Sequence, residues 1–303
     1  MAAPASSEEI REVNIRYHDL AAEHYDSKWG IDYGVLGQSQ VTAKVAKALG
    51  GELGHYERGL EIGAGTGYFG LNLVLAGAID AYTASDISPG MLGVLERTAA
   101  ALSVEVETAC TEASELPFAD ESFDIVFGHA ILHHLPDLDG AFEEFMRVLR
   151  PGGVLAFCGE PSHYGDRLAG YPKRAAWRLS PAWRTLLRAR RPGRDGDAEI
   201  VEEDNLEGVV DVHAFTPATL ARHARDAGFG QVKVRGEELA ASLFGWTNRS
   251  LEASAEPEDI PMLWRKYAYH GYLALQRLDR AVLEPRLPAA VFYNLLVSAQ
   301  KAA

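Results

Sequence analysis

The sequence predicts an α/β protein built on a doubly wound parallel sheet, and three observations carry that expectation. Between Gly59 and Cys158, short apolar runs alternate with amphipathic stretches of helical spacing. The first run ends in a glycine-rich turn, "LEIGAGTGYFG" (60–70), that leads straight into the next helical stretch. Proline and glycine mark later boundaries: "SPG" (88–90) opens a helix, and "RPGG" (150–153) closes one and turns into a strand.

The elements follow in order. In the N-terminal region (1–54), Ile10, Val13, Tyr17, Leu20 and His24 recur at helical spacing. Ser7 is placed as N-cap and acids occupy the first turn, which gives an amphipathic cap helix. The core (55–160) holds strands at 59–63, 81–86, 104–110, 123–129 and 153–160. A charged insertion (161–212) precedes a helix at 216–229, with Thr216 as cap, Pro217 in the first turn and Gly228 ending it, and a strand at 231–238. A helical insertion (239–289) and a last strand (290–303) complete the chain, and both insertions are too long to be simple loops.

Composition narrows the function. A chain of 303 residues that is 47% hydrophobic fills one large domain with elaborations, or two small ones. The formal charge of -14 opposes whole-surface attraction to nucleic acid or anionic lipid. Cys110 and Cys158 cannot form a disulfide framework; both stand in apolar, strand-like runs and are expected in the core. No secretory leader and no apolar run of membrane-spanning length is visible, so the expected location is the cytoplasm.

The glycine loop distinguishes between cofactors. A dinucleotide loop reads Gly-x-Gly-x-x-Gly, its third glycine allowing tight packing of helix on strand. Here Gly63, Gly65 and Gly67 alternate, Tyr68 stands where that third glycine would fall, and Glu61 precedes them by two residues. In this spacing the chain resembles the class I S-adenosylmethionine-dependent methyltransferases. The resemblance continues in register through "ASDISPGML" (84–92), "TEASELPFADESFDIVFGHAILHHLPD" (111–137) and "RVLRPGGVLAFCGEP" (147–161). It covers roughly 55–160 with the final helix and strands, in the branch of the ubiquinone and menaquinone biosynthesis methyltransferases.

The resemblance implies a Rossmann-like seven-stranded sheet with an antiparallel last strand, and both insertions as lids near the active-site mouth. It implies S-adenosylmethionine as cofactor, held by Glu61, Gly63, Ala64, Gly65 and Gly67 around the loop. Asp86 takes the ribose hydroxyls, which suits a carboxylate able to accept from two adjacent donors, and Ile87 follows it. Glu112 and Ala113 flank the adenine, a glutamate standing where this branch often has aspartate. His129 and Tyr25 complete the cofactor set, the latter with Trp29 in a short covering stretch, "HYDSKWG" (24–30).

Methyl transfer is an in-line displacement, so alignment is the main task and a base helps when the acceptor must lose a proton. His129, at the tip of the fourth strand, is placed either as base or orienting group, or as a histidine satisfied beneath the cofactor. Glu160, at the tip of the fifth, is a second catalytic candidate, with a capping or lid-pairing acid as the alternative. His133 and His134 shape the turn that follows, and no metal-ligand spacing accompanies them, so no metal is expected.

The charged insertion carries eight cations and no acid from Tyr171 to Arg194, then eight acids and no base from Asp195 to Asp211. Mutual neutralisation is favoured over a membrane-surface helix or a phosphate clamp. In the second insertion Trp264, Ala268, Gly271, Leu275, Leu278 and Val282 form a stripe expected to be core against the sheet or the first insertion. The expected function is methyl transfer to a small apolar or aromatic molecule, oxygen before carbon. The rivals are a non-catalytic cofactor-binding sensor or partner subunit and, behind it, a nicotinamide-dependent dehydrogenase.

Overall fold

The computed structural model describes residues 10–16, 18–19, 31–192 and 213–303. Seven strands form one sheet: β1 (Tyr56–Ile62), β2 (Ile79–Asp86), β3 (Glu107–Cys110), β4 (Phe123–His129), β5 (Leu149–Pro161), β6 (Gly230–Glu237) and β7 (Asn294–Gln300). Their order is β3-β2-β1-β4-β5-β7-β6. β1 to β5 pair in parallel. β7 runs against them: Lys301 at its end donates to Gly153 near the start of β5 and accepts from Gly152. The chain starts at β1, moves out to β3 and returns to β4 on the other side of β1. This reversal opens a crevice at the carboxyl ends of β1 and β4, where ligands bind in such sheets.

Two compact units are present: Met1–Glu160 with Leu206–Arg235 and Leu296–Ala303, and Pro161–Asn205 with Gly236–Leu295. In the first unit, β1 and β4 run through the middle of the sheet and are buried on both faces, hence Leu60, Ile62, Ile125, Val126 and Phe127 in near-continuous apolar runs. Helices α1 (Val35–Leu49), α2 (Tyr68–Leu75), α3 (Pro89–Leu102), α4 (Leu138–Val148) and α6 (Pro217–Asp226) belong to the same unit. α4 turns Phe142, Phe145 and Val148 inward, each fully buried side chain contributing about 1.5–3 kcal/mol.

The helix starts follow their sequence signals. The Ser88 side chain accepts from Met91 N–H with Pro89 in the first turn, and Thr216 forms a reciprocal capping box with Thr219. "RPGG" differs: α4 already ends at Val148, and Arg150–Gly153 lie inside β5, with Gly152 at φ 79°. Cys110 corrects the sequence reading as well. It is exposed, because it ends the edge strand β3, whereas Cys158 is buried on β5.

The second unit is helical, with α5 (His163–Leu187), α7 (Ala240–Glu252) and α8 (Met262–Leu278). Trp183 and Trp264 meet edge to face at 5.1 Å, and Arg190 grips Asp259 with two guanidinium nitrogens. Buried Asp279 accepts from Ala240 and Ala241 N–H, doing for α7 what an N-cap side chain would do. The α8 stripe departs from expectation. Trp264 does pack against Trp183 of the first insertion, but none of the stripe is fully buried, Leu278 and Val282 are exposed, and Gly271 brings it against Phe244 of α7, within its own insertion. No helix among the described residues is long and apolar enough to cross a membrane.

Candidate functional site

At the carboxyl ends of β1, β2 and β4 the first unit opens a cleft of about 950 Å³, counted to its mouth. Its floor is the loop after β1. Gly63 adopts φ 61°, and a β-carbon there would stand 2.3 Å from Ile131 Cγ1, so glycine lets the β4 loop close over the β1 loop. Gly65 adopts φ 54° for a different reason: a β-carbon there would meet nothing within 4 Å and would project into open space beside the loop.

Asp86 ends β2 at the cleft wall. One carboxylate oxygen accepts from Gly65 N–H at 2.8 Å and the other from Ser88 N–H at 2.9 Å. Each oxygen keeps a lone pair, so the carboxylate fixes the loop and can still accept from a ligand. Ile87, Glu112 and Ala113 continue the wall. Glu112 is paired with Arg11 at 2.8 Å, which brings the N-terminal helical residues against this side.

Glu61 lies behind the loop and not in the cleft. It is buried, and one of its carboxyl oxygens accepts from Gly70 N–H of α2 and from the Tyr82 hydroxyl of β2. Burial pushes its carboxyl up to about 8, against the opposing pull of those two hydrogen bonds. In this arrangement Glu61 ties β1, β2 and α2 together and shapes the loop from beneath. Ala64 and Gly67 are likewise not among the cleft-lining residues; Ala64 N–H bonds Ser85 of β2, and Gly67 caps α2.

The catalytic reading of Glu160 is corrected. It has no exposed surface, and its two oxygens accept from Ile131, Leu132 and His133 N–H and contact His133 Nδ1 at 2.9 Å. Four partners leave nothing for an acceptor, so Glu160 is the anchor of the loop after β4. His129 does line the cleft, half-buried, with its ring stacked on Phe69 at 4.3 Å.

Several lining residues escaped the sequence reading. Arg11, Asn14 and His18, at spacings of three and four, put the polar face of the N-terminal helical segment on the cleft. The Asn14 amide donates to His134 O at 3.5 Å, while its buried carbonyl oxygen has no partner among the described residues. His134 also lines the cleft, with its ring 5.7 Å from that of His18 and 3.9 Å from that of His133. Burial lowers the His18 pKa, which nearby Asp86 opposes and His133 reinforces. Asp19 accepts from Ser88 Oγ and Gly90 N–H at the start of α3. Ser7, Tyr17, Leu20, His24, Tyr25 and Trp29 lie outside the described residues.

The methyltransferase domain family matches residues 60–157. A demethylmenaquinone methyltransferase of Mycobacterium sp. (strain KMS) is 31% identical over 201 residues, 66% of this chain and 79% of the relative. The chain belongs to the class I S-adenosylmethionine-dependent methyltransferases. A malonyl-[acyl-carrier protein] O-methyltransferase of Halorhodospira halophila is 30% identical over 206 residues, 66% of this chain and 64% of the relative. A second O-methyltransferase of that name, from Methylococcus capsulatus, is spanned over 58% of its length, so the chain covers less than two thirds of either.

Among solved structures, a Haemonchus contortus phosphoethanolamine N-methyltransferase 2, bound to phosphomonomethylethanolamine and S-adenosylhomocysteine, superposes with a TM-score of 0.60 at 16% identity. The match covers 99% of this chain and 61% of that one. The [4+2]-cyclase SpnF gives 0.56 at 17% identity, with all of both chains covered. These two likenesses concern the fold. S-adenosylmethionine is the family's cofactor, and this methyltransferase's own residues fit it: Gly65 leaves open the space that a side chain would fill, and Asp86 offers an anionic pair of acceptors beside it.

Proposed function

We propose that this methyltransferase transfers a methyl group to a small, apolar or aromatic acceptor, at oxygen before carbon. What supports it is one juxtaposition: the loop at Gly63–Gly65 and Asp86 share a single cleft with the imidazoles of His18, His129 and His134. S-adenosylmethionine supplies, when bound, a methyl group already activated on a sulfonium. The chain's remaining work is to hold the acceptor in line and to remove its proton.

A hydroxyl is a poor nucleophile until that proton leaves. His18 is suited to take it, because burial holds its imidazole below the ordinary value and thus neutral at pH 7. His134, beside it, and the Asn14 carbonyl oxygen offer further acceptors for the same proton or for its hydroxyl. Ile62, Ile131 and Leu135 give the cleft apolar walls, which suits an apolar or aromatic body.

The test is transfer of labelled methyl from S-adenosylmethionine to a panel of phenols, naphthols and carboxylates, with the methylated atom read by mass spectrometry. Ether products from hydroxyl acceptors, reduced roughly a hundredfold by His18→Ala, are expected; ester formation from a carboxylate, already ionised, does not depend on that base. Binding of S-adenosylhomocysteine without transfer to any acceptor would favour the sensor or partner subunit instead.

A further inference from the structure

Helix α5 has two faces of contrasting character. Toward its own unit it buries Gly165, Ala169, Ala176, Ser180 and Trp183. On its outer side Tyr164, Leu168, Tyr171, Ala175, Leu179 and Leu186 recur at three- and four-residue steps or multiples of them, and so lie on one line. All six are exposed: Tyr171 keeps 71% of its surface, Leu179 63% and Leu186 81%. From Tyr164 to Leu186 on this helix the line is about 33 Å long.

The charge beside it has one sign. Arg167, Arg174 and Arg178 each stand one residue before Leu168, Ala175 and Leu179, and all three are exposed. No acid occurs from Arg167 to Arg194. Other cations of this stretch are engaged within the unit: Lys173 lies 3.8 Å over the Trp246 ring, and Arg190 holds Asp259. Leu179 and Leu186, with Leu251 of α7, also line an almost wholly apolar groove of about 800 Å³, counted to its open side.

Charge neutralisation by the acid block at 195–211, which lies outside the described residues, gives no reason for an exposed apolar line. We propose that α5 docks this line flat on an anionic bilayer surface, with Arg167, Arg174 and Arg178 meeting lipid headgroups. The residue types fit that occupant: aliphatic side chains for the acyl boundary, Tyr164 and Tyr171 for the interface, and arginine alone for the charge. The chain's overall charge of -14 turns the rest of its surface away from such a membrane and so orients the docking.

The test is co-sedimentation of the full chain with vesicles of phosphatidylcholine alone and of phosphatidylcholine with about one third phosphatidylglycerol. We expect at least about tenfold stronger partitioning to the anionic vesicles, weakened by salt. Leu179→Asp with Leu186→Asp, and separately Arg174→Glu with Arg178→Glu, each lower it at least about tenfold. These exposed substitutions leave the melting temperature and S-adenosylhomocysteine affinity unchanged. Equal partitioning to both vesicle types, or indifference to the leucine pair, overturns the proposal. So does a solution dimer that the leucine pair dissociates in a protein that ignores vesicles, since the line then belongs to a second copy.

Discussion

Glu160→Gln isolates what the carboxylate at the end of β5 does. The native side chain is fully buried and meets three backbone N–H groups and one imidazole nitrogen, at 2.9 to 3.2 Å. Glutamine preserves the volume but has a single accepting oxygen. If that oxygen keeps Ile131 and Leu132, the new NH2 faces the His133 N–H, donor against donor. A hydrogen bond to a charged group contributes about 1.5–3 kcal/mol, and a buried donor left unpaired costs about 1–3 kcal/mol. His133 can switch tautomer and accept from the new amide, which recovers one contact. The net loss is then about 2–4 kcal/mol, or about 3–6 °C in melting temperature for a chain of this size. The assay is a thermal melt by circular dichroism, with turnover measured well below the transition. A melting temperature within about 2 °C of wild type, together with lost turnover, would return Glu160 to the acceptor site and refute the anchor argument.

Three further outcomes follow from the same geometry. The folded Glu61 carboxyl, at about 8, lies above its unfolded value of 4.5, so the native state holds a proton that the unfolded chain releases. That contribution is full below about pH 4.5 and is lost as pH rises through 8; urea midpoints should fall between these limits, less so in Glu61→Gln, and superimposable profiles would contradict it. Gly63→Ala forces a methyl onto Ile131 and should cost about 2–4 kcal/mol of stability, whereas Gly65→Ala costs about 1–2 kcal/mol and weakens S-adenosylhomocysteine binding; equal losses in denaturant melts would refute the distinction. If His18 is the base, its lowered pKa centres the acidic limb of kcat/KM below the ordinary imidazole value of 6.5, and a limb centred above pH 7 that vanishes in His18→Ala would exclude that environment.

The parallel core was legible because its signals are local. Apolar runs, the Ser88 and Thr216 caps and the alternating glycines each act within a few residues, and β1, β2 and β4 lie where those runs placed them. Roles set by burial were not legible. Glu61 and Glu160 sit where ligand-facing acids are expected, yet Tyr82 and Gly70 engage one oxygen of Glu61 and the β4 loop both oxygens of Glu160, and those partners lie 9 to 29 residues away. Arg11, Asn14 and His18 were hidden for the converse reason: their helix shows its apolar stripe in sequence, while only the folded cleft shows what the polar face touches. The exposed line on α5 is of the same kind, since spacing alone does not tell a buried stripe from an outward one.

The central claim is that the cleft at Gly63–Gly65 and Asp86 holds the methyl donor. Calorimetric titration with S-adenosylhomocysteine, on wild type and Asp86→Ala, tests it most directly. One micromolar site is expected in the wild type, weakened at least about tenfold in the variant by the loss of a charge-assisted hydrogen bond. No heat of binding in the wild type, or an unchanged dissociation constant in Asp86→Ala, would contradict it.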